Sequence, residues 1–337
     1  MKRAPLLLAL AATVTLVAAC GSTEPAATSS SAPTTTIAPG PTGVPDGMGS
    51  PGVDDGVFPR TVGHFGGSTE IPSEPKRIVV IATGQLDSVL TLGVVPTGVA
   101  YGDGAALVPD YLAREFPQYA SQMADFVDVG HRQSPDLEAI AALQPDLILA
   151  NEAGSEENYE TLSAIAPTVL TEGTGVNWKQ DFLLLADALG RTQQAQSFLD
   201  EFTTRAHDFG NSVQGSPTVS FVRFTADRAR VFGVASFVGY IAWDANLARP
   251  ESQQFDKTSQ DFSEEEIQSA DADRVFVGSQ TSDAGSRADQ YTTNPLWTGM
   301  SASTEGHIVS VEDDPWYLNA GPTAATLVLD GLEESLR

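Results

Sequence analysis

What this chain of 337 residues lacks narrows its function first. Cysteine occurs once, as Cys20, so no disulfide forms within the chain. Basic residues are scarce: 18 Lys and Arg stand against 44 Asp and Glu, a formal charge of -26, which argues against nucleic acid and anionic lipid headgroups as partners. His64, His131, His207 and His307 are scattered, and none has a second histidine within helical reach, so no protein-held metal is expected. No apolar run is long enough to span a bilayer. Also missing are the Gly-x-Ser-x-Gly elbow, a phosphate-cradling Gly-x-x-x-x-Gly-Lys loop, a Gly-x-Gly-x-x-Gly turn after a strand and any cysteine nucleophile, so no enzymatic reaction and no cofactor is signalled.

What is present begins with an export signal. Lys2 and Arg3 precede an apolar run over residues 5–19 that is too short for a membrane span and is expected to be removed. Its end, Leu16-Val17-Ala18-Ala19-Cys20, resembles the lipobox of bacterial lipoproteins, which implies that Cys20 is acylated and becomes the N-terminus. Loss of Lys2 and Arg3 leaves 16 cations against 44 acids, a charge of -28. Residues 20–56 are rich in Ser, Thr, Pro and Gly and contain no Lys or Arg, so they read as a flexible tether with a reach of roughly 30 Å.

The rest of the chain is long enough for two cores. Continuous apolar runs alternate with helix-like segments, the pattern of parallel strands joined by crossover helices. Strands are predicted over residues 77–82, 96–100, 146–150 and 168–170 in the first half, and over 218–224, 230–232, 274–277 and 307–311 in the second. The fold expected is two α/β lobes, residues 57–190 and 214–337, bridged by one long helix over 191–213. An internal echo supports equivalent lobes: shifted by 127 positions, Glu138 meets Glu265, Ile140 meets Ile267 and Asp146 meets Asp273.

Several segments carry a family likeness across the body from His64 to Leu336. They are Pro75-Lys76-Arg77-Ile78-Val79-Val80, Val129-Gly130-His131-Arg132-Gln133-Ser134-Pro135-Asp136-Leu137-Glu138, Pro145-Asp146-Leu147-Ile148-Leu149, Ile165-Ala166-Pro167-Thr168, Val222-Arg223-Phe224, and Trp316 with Gly321-Pro322. In order and spacing the chain resembles the ferric-siderophore substrate-binding lipoproteins of ABC importers, relatives of the cobalamin-binding proteins. The resemblance implies a monomer that holds a ferric chelate between its lobes without ligating the iron, and hands it to a membrane permease.

Oxygens around ferric iron carry partial negative charge, and a guanidinium donates to two of them in a planar fork. Arg132, in the loop before Pro135, matches a ligand-contacting arginine of related binders; a surface arginine answering carboxylates is the plain alternative. Arg223 lies inside an apolar strand, where a charge must face a cleft or be paired. Arg228 and Arg230, in the turn after it, read as solvated or as reaching the ligand rim. Trp316 and Tyr317 follow the acidic stretch Glu312-Asp313-Asp314 and read as a binding surface. Tyr101 and Thr83 fall at strand carboxyl ends, where open α/β sheets bind ligands. Related binders present one glutamate from each lobe to permease arginines, at positions matching Glu138 and Glu265; helix-dipole complementarity is the simpler reading of both. The chain's acidity favours a neutral or cationic hydroxamate chelate. Haem, a cobalamin and ferric citrate are rival ligands, and a cell-envelope scaffold protein is a rival role.

Overall fold

The apolar runs become the central strands of two sheets. A computed structural model describes residues 40–102, 106–173, 175–280 and 286–337; the signal segment and Cys20 lie outside the described residues. In the first lobe six strands are ordered Ser134–Pro135, Val127–His131, Gly98–Tyr101, Ile78–Val80, Leu147–Asn151 and Thr168–Thr171. All pairs are parallel except the short antiparallel edge formed by Ser134–Pro135. Ile78, Val79 and Val80 are buried on both faces, as a central parallel strand requires.

The second lobe has the order Ser259–Asp261, Ala229–Phe232, Val219–Phe224, Arg274–Ser279 and Ile308–Val311. Its last three strands are parallel, but Ala229–Phe232 runs antiparallel to Val219–Phe224. A purely parallel reading of this half therefore fails, for a local reason. Only a tight turn joins the two strands, closed by Thr225 N–H donating to the Arg228 carbonyl at 2.9 Å, and so short a link cannot cross over a sheet.

The internal echo has a physical cause. Asp146, ahead of strand Leu147–Asn151, accepts the N–H groups of Lys76 and Arg77 at 2.9 and 2.8 Å. Asp273, ahead of Arg274–Ser279, accepts the Thr218 N–H at 2.7 Å. Each aspartate pins the start of one central strand to the start of its parallel neighbour. Each is preceded by a capped helical turn: Asp136 caps Leu137–Ala142, and Ser263 with Glu266 forms a capping box on Glu264–Ala270.

The bridging helix, Thr192–Ser212, is 21 residues long, roughly 31 Å. It buries one stripe, Ala195, Leu199, Phe202, Ala206 and Phe209, at helical spacing. Gly190, at φ 68°, ends the preceding helix Trp178–Ala188 in the left-handed conformation that glycine adopts without steric cost. The bridging helix has no side-chain cap of its own; Asp55 accepts the N–H groups of Thr192 and Gln193, both at 2.8 Å.

That contact also moves the start of the body. Residues 40–56, assigned above to the tether, pack onto it: Gly49 and Gly63 exchange backbone hydrogen bonds at 2.7 and 2.8 Å, and Ser50 is buried. Nor are the lobes separately packed. One apolar cluster runs from Leu90 and Leu184 through Phe202 to Phe221 and Val328. The final helix, Pro322–Leu336, is shared by both lobes, because buried Asp87 of the first lobe accepts its leading N–H groups, Thr323 at 2.9 Å and Ala324 at 2.8 Å.

Candidate functional site

The carboxyl ends of the parallel strands converge where the two lobes face each other. Between them lies a cavity of about 510 Å³ whose walls carry Thr83, Gly102 and Arg132 from the first lobe and Arg223, Arg228 and Arg230 from the second. Tyr317 and Leu318 close it. Four guanidinium groups against one carboxylate, Asp227, thus line one cavity in a chain of net charge -26.

The arginines are held differently. Arg223 is buried and makes a two-pronged pair with Asp313, Nε to Oδ1 at 2.8 Å and Nη2 to Oδ2 at 2.7 Å. It satisfies both sequence readings at once, lining the cleft and forming a structural ion pair. Arg228 is exposed and pairs with Asp261. Arg132 leans against Gly102, a position where any larger residue would meet Thr83. Arg230 is the residue that sequence reasoning undervalued. It stands directly opposite Arg223 across the antiparallel ladder, and its buried Nε has no acceptor. Burial and then the charges of Arg223 and Arg228 depress its pKa from the ordinary arginine value. Two like charges facing each other across a ladder destabilise it, so the arrangement is kept against the fold's own preference. The tight turn at 225–228 was the signal: it sets the register that brings the two arginines together.

The aromatic pair divides. Trp316 is not a ligand surface: it is 4% exposed and stacks on Phe276 with centroids 5.2 Å apart. The turn Asp314–Leu318 sends it into the core while its neighbour Tyr317 reaches the cavity wall, with its hydroxyl donating to the Phe276 carbonyl at 2.9 Å. Tyr101 packs edge-to-face on His131 and is not among the lining residues; its carbonyl accepts the Arg132 N–H. Thr83 lines the cavity. Glu138 and Glu265 are not among its lining residues; both are exposed, each at the second position of its equivalent helical turn.

A smaller compartment of about 260 Å³ opens beneath the first lobe and shares Thr83, Arg132 and Leu318 with the main cavity. Asp181 lines it, and burial pushes this carboxyl up to about 7. Sequence reading did not single out Asp181 or Gln85, also on this wall, because each belongs to a helix and no motif marks it. A still larger trough of about 1050 Å³ lies between the bridging helix and helix Phe237–Asp244, but among the described residues its basic lining is Lys179 and His207 alone, and that lysine is paired with Asp244 at 2.8 Å. Among the described residues no group of three or more His, Cys, Asp or Glu is placed to hold a metal ion. His64 is buried, and burial lowers its pKa to about 4, which keeps the ring neutral. No helix among the described residues is long and apolar enough to cross a membrane.

Known proteins share this architecture. The chain is 34% identical over 288 residues to the probable siderophore-binding lipoprotein YfiY of Bacillus subtilis, covering 81% of this chain and 86% of that one. It is 26% identical over 262 residues to the Fe(3+)-citrate-binding protein YfmC of the same organism, covering 76% and 79%. The crystal structure of Staphylococcus aureus SirA complexed with staphyloferrin B superposes with a TM-score of 0.71 at 27% identity, over 82% of this chain and 98% of that one. The profile of the family described as periplasmic binding protein matches residues 78–315, most of the body, and with two α/β lobes closing on a cleft at their strand ends the chain belongs to that family.

Proposed function

We propose that this protein captures a ferric siderophore in the interlobe cavity and delivers it to an ABC import permease, held at the outer face of the cell membrane by an acylated Cys20. The observation that carries the reading is the convergence of Arg132, Arg223, Arg228 and Arg230 on one cavity, with the Arg230 Nε buried and lacking an acceptor. A buried donor of this kind is satisfied by an anionic oxygen arriving from outside. The names of the similar proteins, a siderophore-binding lipoprotein and a ferric-citrate binder, support the same ligand chemistry.

On the chelate class, global and local charge pull in opposite directions. The chain's acidity argues for a neutral or cationic hydroxamate, but surface charges beyond a Debye length of about 8 Å are largely screened at physiological salt. A guanidinium about 4 Å from an anionic oxygen contributes roughly 4 kcal/mol at an effective dielectric of 20. The contact term governs, and we read the preferred ligand as a ferric chelate presenting carboxylates rather than a neutral hydroxamate. Against haem, the Tyr317 hydroxyl is already committed to the Phe276 carbonyl.

Quenching of tryptophan fluorescence, titrated with ferric citrate, a ferric hydroxamate, a ferric catecholate, haem and cobalamin, tests the reading. Saturation at micromolar or lower concentration by ferric citrate alone among these fits it. Saturation by the hydroxamate alone restores the neutral-ligand reading, and silence towards all five points to an envelope scaffold.

A further inference from the structure

The small compartment beneath the first lobe has chemistry opposite to that of the main cavity. Gln85, 4% exposed, lines it and donates its amide Nε2 to the Ala150 carbonyl at 2.7 Å and to Thr171 Oγ1 at 3.2 Å. Those two bonds fix the amide and leave Oε1 as a buried acceptor with no donor. Asp181 on the same wall accepts the N–H groups of Glu172 at 3.1 Å and Gly173 at 2.9 Å, one at each carboxylate oxygen, and the Gln180 side chain also bonds to it. A carboxylate has about four lone-pair sites, so beside these three donors it keeps room for a further one. The shared residue Arg132 is the one basic side chain lining the compartment among the described residues. Burial without a facing cation raises the Asp181 carboxyl to about 7, so this wall is short of positive charge.

Size then limits the occupant. Pockets that enclose whole ligands run from about 300 to 1,000 Å³. At about 260 Å³ this one is too small for a ferric chelate core and fits an arm attached to one. We infer that the inner compartment is a subsite for a protonated amine on the ligand, with Gln85 Oε1 and the Asp181 carboxylate as acceptors while the chelate's anionic face meets the arginines next door. The inference rests on the ferric-chelate reading above. It makes the cleft bipolar, so that ligand orientation is set by charge at both ends.

The test uses two matched pairs of ferric chelates titrated into the purified chain by tryptophan fluorescence. One pair is ferrioxamine B and its N-acetyl derivative. The other is the ferric complex of citrate mono-amidated with 1,4-diaminobutane and the same complex with its terminal amine acetylated. On whichever scaffold binds, the free-amine member is expected to bind about tenfold or more tighter, because acetylation removes the charge but keeps the reach. Asp181→Asn, or Gln85→Met if that variant fails to fold, is expected to bring the ratio to about one. Equal affinities within a binding pair in the wild-type chain overturn the subsite and leave the ferric-chelate reading standing. A free-amine preference that survives both substitutions also overturns it. Failure of both scaffolds together with ferric citrate overturns the reading of a carboxylate-presenting ferric chelate, and the subsite with it.

Discussion

At the scale of single residues, the arginines differ in whether they only line the cavity or also pair within the fold. Arg223 does both, so Arg223→Ala would leave Asp313 as a buried charge without its partner, at a cost of about 3–5 kcal/mol to the fold, and cannot report on binding alone. Arg230 is the cleaner probe, since its Nε lacks an acceptor and the like charges of Arg223 and Arg228 outweigh those of Asp261 and Asp313. Arg230→Met is expected to weaken ferric citrate binding by about 1.5–3 kcal/mol, roughly ten- to a hundredfold, while raising the melting temperature of the ligand-free chain. A fall in both affinity and melting temperature would instead make Arg230 structural. Asp181 predicts a pH dependence. Its native pKa of about 7 lies above the ordinary 3.8, so the folded chain keeps a proton over an interval where the unfolded chain has lost it. Stability contributed through Asp181 therefore rises as pH falls from about 8 towards about 5. Buried His64, lowered to about 4, acts in the opposite sense below about pH 6.5, so the quantity to follow is the difference between wild type and Asp181→Asn. By thermal melts, that difference should shift in favour of wild type as pH falls; a constant difference would remove Asp181 from the titration.

At the scale of elements, what the sequence made legible was local, and what it hid was contact between distant segments. Central strands such as Ile78–Val80 and Leu147–Asn151 announce themselves because burial on both faces demands unbroken apolar runs. The bridging helix was visible from its length and lack of proline, and its observed span, Thr192–Ser212, lies inside the predicted one. The hairpin strands Arg60–His64 and Gly67–Ile71 escaped notice because polar residues alternate through them. The antiparallel register that sets Arg223 against Arg230 escaped because the turn between them was read for its charges and not for its length. Trp316 misled because a loop position does not reveal which way a side chain turns. The cap on the bridging helix was invisible in principle, since Asp55 lies 137 residues from the N–H group of Thr192 that it accepts. Asp55→Ala should cost about 1 kcal/mol by denaturant melts, the usual loss when a helix cap is removed. No change in the unfolding midpoint would show that residues 40–56 do not secure this helix.

At the scale of the whole molecule, each lobe carries one capped turn with an exposed glutamate, while the residues they turn to the cavity differ. The equivalent clamps at Asp146 and Asp273 place Glu138 and Glu265 at corresponding exposed positions, one on each lobe. One apolar cluster runs through both lobes, so a permease gripping both glutamates would engage a body packed as one unit. A glutamate in a first helical turn is adequately explained by the helix dipole, worth about 0.3–1 kcal/mol, and that account predicts a small stability loss on substitution and nothing more. Docking predicts something else. Glu138→Arg and Glu265→Arg would each place a cation before the arginines expected on the permease, where like-charge juxtaposition costs several kcal/mol. Each reversal should then slow uptake of the ferric chelate by cells several-fold, and the double reversal should slow it further, while ferric citrate affinity of the purified chain stays within about twofold. Unimpaired uptake in the double variant would leave the helix dipole as the sufficient reason for both glutamates, and a parallel loss of chelate affinity would place them in the energetics of the cleft.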